Sequence, residues 1–204
     1  MKHLPLMLAF LATVLLGTSC GSTTEARRVW VEEGQLVTDA GPLFMYGVCY
    51  HPVPVGESKR SFETLTQDLA LMKDMGINTL RVYEPIASKE VLDEISAAGL
   101  SVIVGLGYNQ GGVYDLQSGT YLDYVKRFKA HPAILLWELG NEYNYHPEWF
   151  DDDIKNWYKA LHKATDLIHK NDTSHPVATA HGELPDSLAL SMNPNIDIWG
   201  LNVY

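Results

Sequence analysis

Six dense apolar runs, at residues 43–50, 78–83, 101–106, 133–139, 177–181 and 196–203, punctuate a chain of 204 residues. None alternates polar and apolar in the manner of a strand with one wet face. Each therefore reads as a parallel strand covered on both sides. Between them lie segments with helical periodicity and recognisable ends. Phe62, Leu65, Leu69 and Met72 share one helix face, and Gly76 closes that helix. Ser88 stands where an N-cap is needed for a helix carrying Leu92 and Ile95 and ending at Gly99. Thr120 and Asp123 read as a capping box for a third, with Leu122, Val125 and Phe128 inward and Pro132 at its end. The acidic run Asp151 to Asp153 suits the start of a fourth, whose buried face is Ile154, Trp157, Leu161 and Ile168. A short fifth falls near residues 185–192.

Strand–helix alternation on a parallel sheet leaves two architectures, an open doubly wound sheet or a closed barrel. The first strand is followed by Tyr50-His51-Pro52-Val53-Pro54, with no G-x-G-x-x-G turn to cradle a phosphate. The expected fold is therefore α/β, a TIM (β/α)8 barrel. Eight units take about 250 residues, whereas residues 42–204 hold six, so the barrel is expected to be truncated after its sixth strand. Such a sheet would have two open edges.

Residues 1–20 are expected to be a signal. Lys2 precedes an almost wholly apolar stretch from Leu4 to Leu16, too short to span a bilayer but suited to the core of a secretory signal. Gly17-Thr18-Ser19-Cys20 then resembles the end of a bacterial lipoprotein signal, although Leu16 stands one place further from the cysteine than that pattern has it. The resemblance implies lipidation of Cys20, export to the cell envelope, and either a lipid-anchored or a periplasmic protein. Residues 21–41 are expected to form a polar tether and an N-terminal hairpin, with Val29 to Val37 alternating around Gly34. Once Cys20 is acylated only Cys49 remains, and in an apolar strand it reads as a small buried hydrophobe.

The formal net charge of −10 argues against nucleic acid as a partner, because a phosphate backbone needs a basic footprint. Neutral sugars are not disfavoured, and membrane contact is expected only through the N-terminal lipid. No zinc-binding H-E-x-x-H and no G-x-S-x-G elbow occurs, so neither metal nor cofactor is expected.

Barrel active sites are built at the C-terminal ends of the strands. Here those ends carry Tyr50 and His51, Arg81 and Tyr83, Tyr108 and Asn109, Asn141 and Glu142, His181, and finally Asn202 and Tyr204. These side chains hydrogen-bond hydroxyls or stack on sugar rings. The most informative run is Leu135-Leu136-Trp137-Glu138-Leu139-Gly140-Asn141-Glu142, an apolar strand that ends in an Asn-Glu pair. A Glu in this position can protonate a glycosidic oxygen if burial or a second carboxylate raises its pKa. The Asn can hold a sugar hydroxyl. Glu138, inside the strand, reads as a buried, hydrogen-bonded partner. Tyr143, Tyr145, Trp149 and Phe150 form an aromatic loop that either stacks on sugar or covers the barrel.

Taken together, Gly47-Val48-Cys49-Tyr50-His51-Pro52, Asn78-Thr79-Leu80-Arg81-Val82-Tyr83, His131-Pro132-Ala133-Ile134-Leu135-Leu136-Trp137, Gly140-Asn141-Glu142 and Trp199-Gly200-Leu201-Asn202-Val203-Tyr204 resemble the catalytic barrel of glycoside hydrolase family 2. The resemblance implies a retaining glycosidase acting on an oligosaccharide or polysaccharide. Glu142 would be the general acid/base and Asn141 a sugar contact. Arg81 would orient the nucleophile, and Tyr204 would lie beside it. Two features depart from the family. It carries a jelly-roll and a sandwich domain ahead of the barrel, for which residues 21–41 leave little room. Its nucleophile is a Glu at the end of the seventh strand, and no carboxylate within residues 1–204 takes that place by position. The chain alone is therefore expected to be nearly inactive. A transglycosylase on the same barrel, and a non-catalytic envelope-anchored sugar-binding protein, are the alternatives.

Overall fold

The computed structural model describes residues 27–204. The expected signal, Cys20 and the first part of the tether lie outside the described residues. Two sheets form. A small antiparallel one joins β1 (Val29–Glu32), β2 (Gln35–Thr38) and β3 (Gly41–Pro42), the β1–β2 turn being made by Glu33 and Gly34, both at positive φ. The second is wholly parallel and ordered as in the chain: β4 (Gly47–Cys49), β5 (Thr79–Val82), β6 (Ser101–Leu106), β7 (Ile134–Asn141), β8 (Val177–His181) and β9 (Ile198–Leu201). Helices α1 (Leu65–Asp74), α2 (Lys89–Ala97), α3 (Tyr121–Phe128), α4 (Ile154–Asn171) and α5 (Ser187–Met192) fill the crossovers.

The parallel sheet curls into a half-barrel. Ile103 of β6 and Ile198 of β9 pack into one apolar cluster, although they belong to strands three places apart. In a flat sheet that separation would be about 14 Å, at roughly 4.8 Å per strand. The two edge strands, β4 and β9, are three and four residues long, shorter than the runs 43–50 and 196–203 suggested. Each pairs on one side only, so a ladder on the other side does not extend it. The inner strands β6 and β8 match their apolar runs end to end.

The main core lies between sheet and helices, where Trp137, Leu139, Tyr124, Phe128, Trp157 and Leu161 interdigitate. A second, smaller core closes the N-terminal end of the half-barrel. Val29 and Leu36 of the small sheet bury Leu135, with Leu43, Ile103 and Ile198 around them. The amide of Val29 donates to the carbonyl of Ser174 at 2.8 Å, and Arg27 Nη1 donates to Ser101 Oγ at 2.7 Å. The hairpin therefore acts as a plug.

Local signals held unevenly. Ser88 Oγ accepts from the amide of Val91, and Asp153 caps α4 through the amide of Lys155. Thr120 does not cap α3, because its backbone is already helical. Its hydroxyl instead accepts from the amide of Asp115 and donates to the carbonyl of Gly112, tying down the loop before the helix.

Candidate active site

The site is built by two irregularities in β7. Ile134 and Leu136 pair with the consecutive Val102 and Ile103, so Leu135 is an extra residue turned toward the plug. At the other end Glu138 pairs with Ala178 and Asn141 with Ala180, three steps on β7 against two on β8. The inserted residue coincides with Gly140, at φ +72°. A side chain there would meet Trp157 and Tyr143 at 2.7 and 2.8 Å. The bulge frees the carbonyl of Leu139, which accepts from Thr179 Oγ1 at 2.7 Å. Strict alternation after Glu138 would turn Asn141 outward. The extra residue turns it in. Glu142 follows in the left-handed region at φ +56°, held by its amide to the carbonyl of Ala180. Such backbone is costly outside glycine and recurs in tight turns and at functional sites.

Inside the curl the side chains form one connected network. Arg81 Nε and Nη2 clasp the Glu138 carboxylate at 2.6 to 3.0 Å, and Nη2 also donates to Asn141 Oδ1 at 2.8 Å. Asn202 Nδ2 donates to Asn141 Oδ1 at 3.2 Å and to Glu142 Oε1 at 2.8 Å. Tyr204 donates its hydroxyl to the same Glu142 oxygen at 2.8 Å. Because Asn141 accepts twice through its oxygen, its amide nitrogen is left to donate elsewhere. Tyr83 lies beneath the guanidinium of Arg81, 4.8 Å from its ring centre. Cys49 is exposed, contrary to the expected burial, with Sγ 3.8 Å from Arg81 Nη1. On an edge strand no neighbouring strand covers it.

The electrostatics separate the two glutamates. Burial pushes the Glu138 carboxyl above its ordinary value, and the Arg81 guanidinium pulls against that. Hydrogen bonds from Asn202 and Tyr204, aided by the charge of Arg81, hold the Glu142 carboxyl below its ordinary value. A general acid needs the opposite shift, and the other carboxylate of the network, Glu138, is taken up by Arg81.

Five of the residues singled out by sequence, Arg81, Asn141, Glu142, Asn202 and Tyr204, are thus hydrogen-bonded together, with Tyr83 against them. Three are not. Tyr50 is buried facing α1, its hydroxyl donating to Asp68 at 2.8 Å and its ring against Phe62. His181 is buried facing the helices, with Nδ1 at 2.6 Å from the carbonyl of Glu183 and its ring edge-on to Trp199. Both sit at strand ends, but on the outward side of the pleat. His51 is exposed beyond β4. The role of Glu138 as clasp of Arg81 was foreshadowed only by its position in an otherwise apolar strand.

A curled parallel sheet with a carboxylate, amides and a guanidinium at its C-terminal mouth has its polar groups where (β/α) barrels build active sites. Comparison with known proteins points the same way. No family model matches the chain. A beta-glucuronidase of Streptococcus agalactiae serotype V is 27% identical over 138 residues, 57% of this chain and 23% of that protein. Among solved structures, a beta-glycosidase from Bacteroides vulgatus superposes with a TM-score of 0.62 at 26% identity, covering 87% of this chain and 22% of that one. A glycosyl hydrolase family 2 member from Bacteroides cellulosilyticus gives 0.63 at 19% identity, covering 86% and 23%. The chain spans less than a quarter of the length of the curated relatives it matches. Its curated relatives carry the name beta-glucuronidase, and its structural neighbours include glycosyl hydrolase family 2 members.

Proposed function

We propose that residues 42–204 are the acid/base half of a retaining β-glycosidase site, exported to the bacterial envelope and held there through Cys20. The observation that carries this reading is the bulge at Gly140, which aims Asn141 and Glu142 into the same cleft as Arg81, Asn202 and Tyr204. Glu142 would give its proton to the glycosidic oxygen as the C1–O bond breaks and a second carboxylate bonds to C1. It would then take a proton from the water that displaces that carboxylate. The free amide of Asn141 would hold a hydroxyl of the reacting sugar.

The second carboxylate belongs, in this reading, to chain outside residues 1–204. Placed about 5 Å from Glu142, it would raise the very pKa that Asn202 and Tyr204 now lower. Hydrolysis of aryl β-glycosides by the 204-residue protein is therefore expected at background, and reading on beyond codon 204 should reveal the missing glutamate. Brisk turnover that Glu142→Gln abolishes would sink the idea of an outside nucleophile.

The half-buried, readily ionised Glu142 favours one other reading, a sugar-binding protein that keeps the cleft without the chemistry. Calorimetry with oligosaccharides separates the two. Binding by the 204-residue protein that Glu142→Gln leaves unchanged, with no turnover by the extended chain, would favour the binder. Attachment at Cys20 is checked by the mass of the mature N-terminus and its loss in Cys20→Ala.

A further inference from the structure

The loop that follows Glu142 shapes a second cavity, outside the network of the proposed catalytic site. Two short 3-10 turns, Tyr143–Tyr145 and Pro147–Phe150, fold back over the end of β6. Between them and the segment after β6 lies a cavity of about 410 Å³ lined by Tyr108, Asn109, Gln117, Tyr143 and Trp149. That size falls within the range of small-molecule sites. Tyr143 also lines a smaller cavity of about 170 Å³ that contains Glu138 and Asn141. One ring thus forms the wall between the cleft and the second cavity.

The rings of this cavity are held from behind. Phe150 and Trp157, both buried, pack against Tyr108 and Tyr143 with centroids 4.7 to 6.1 Å apart. The Tyr143 hydroxyl accepts from the amide of Tyr108 at 3.0 Å, so its polar end is satisfied and its ring serves as surface. Trp149 is 52% exposed yet not loose, since His146 stacks flat on it at 3.9 Å and 7°. Aromatic walls fixed in this way lose little freedom when something binds between them.

At the rim stand Asn109 and Gln117, exposed amides whose side chains make no hydrogen bond to the described residues. Among the described residues no charged side chain lines the cavity. Rigid aromatic faces with free amide donors and acceptors, and no charge, suit a ligand with one apolar ring face and an edge of hydroxyls.

We infer that this cavity binds a neutral pyranose ring of the substrate, one sugar away or more from the bond that is cut. The inference rests on the glycosidase reading for its substrate class and narrows it. Whatever sugar is cleaved, the unit in this cavity carries no carboxylate, because no cationic side chain among its lining residues would pair with one. A uronate-only oligosaccharide would not use the site.

The indole N–H resonances of the 204-residue protein provide the test, with Trp149 assigned by its absence in Trp149→Ala. The probes are neutral cello-, xylo- and galacto-oligosaccharides of two to four units, and a uronate oligosaccharide of matched length. The Trp149 signal is expected to shift with at least one neutral series and not with the uronate. Trp149→Ala should weaken that binding about tenfold, and Asn109→Ala with Gln117→Ala should weaken it further. Trp149 is half exposed, so its removal should leave the thermal midpoint nearly unchanged. A Trp149 signal that no sugar moves, or one that the uronate moves equally, would overturn the inference. Binding at Trp149 without any turnover by the extended chain would leave the cavity standing and remove the glycosidase reading. Turnover insensitive to Trp149→Ala on oligosaccharides would do the reverse.

Discussion

Two carboxylates, Glu138 and Glu142, set the character of the cleft, and each makes a separate prediction. Arg81 and Glu138 are 15% and 10% exposed, so removing one strands the other in low dielectric. Arg81→Ala is expected to cost about 3–5 kcal/mol in chemical unfolding, whereas Arg81→Met with Glu138→Leu should recover most of it. The loss should grow with pH. A stranded carboxyl whose pKa burial already raises escapes the penalty only by protonating, which becomes harder as pH climbs above its unfolded value. Glu142 behaves oppositely. Its folded pKa lies below the ordinary 4.5, so what Asn202 and Tyr204 contribute is present above that pH and fades as pH falls through the folded value. Tyr204→Phe should therefore move the Glu142 carboxyl titration upward in a carbon-detected NMR experiment. No movement would mean that the Tyr204 contact is not made in solution.

At the scale of elements, β7 shows which features were legible in the chain and which were not. Its apolar run announced a buried strand, and the polar pair at its end announced a site, because those signals are local. The bulge was not announced. A glycine within a strand is compatible with a regular strand, and only the pairing with β8 shows that Gly140 is the extra residue. The same reasoning explains Tyr50 and His181, which occupy strand ends as expected but face the helices. Side-chain direction alternates residue by residue, so position along a strand predicts the end of the barrel and not its inside. Gly140→Ala tests the bulge. It would force alanine into the left-handed region, costing about 1–2 kcal/mol, and press its methyl on Trp157 and Tyr143. The expected result is a lowered unfolding midpoint together with displaced Asn141 and Glu142 signals.

On the scale of the whole molecule, the hairpin and the half-barrel share a core through Leu135, which is fully buried. Leu135→Ala should cost about 2–5 kcal/mol. If the plug is part of one cooperative unit, amide exchange in β1 and β2 should quicken in step with global unfolding. Exchange there that stays unchanged while stability falls would show the hairpin to be an independent appendage. The strand–helix order, the parallel sheet and the mouth at which Asn141 and Glu142 stand were all readable from residue pattern, since burial on two faces, helix periodicity and caps are each written within a few neighbours. The bulge at Gly140, the clasp of Arg81 by Glu138 and the convergence of Asn202 and Tyr204 on Glu142 were not. Those contacts join residues 57 to 62 positions apart in the chain. They exist only because strands far apart in sequence bend toward a common axis, and no local pattern encodes how far a sheet will bend.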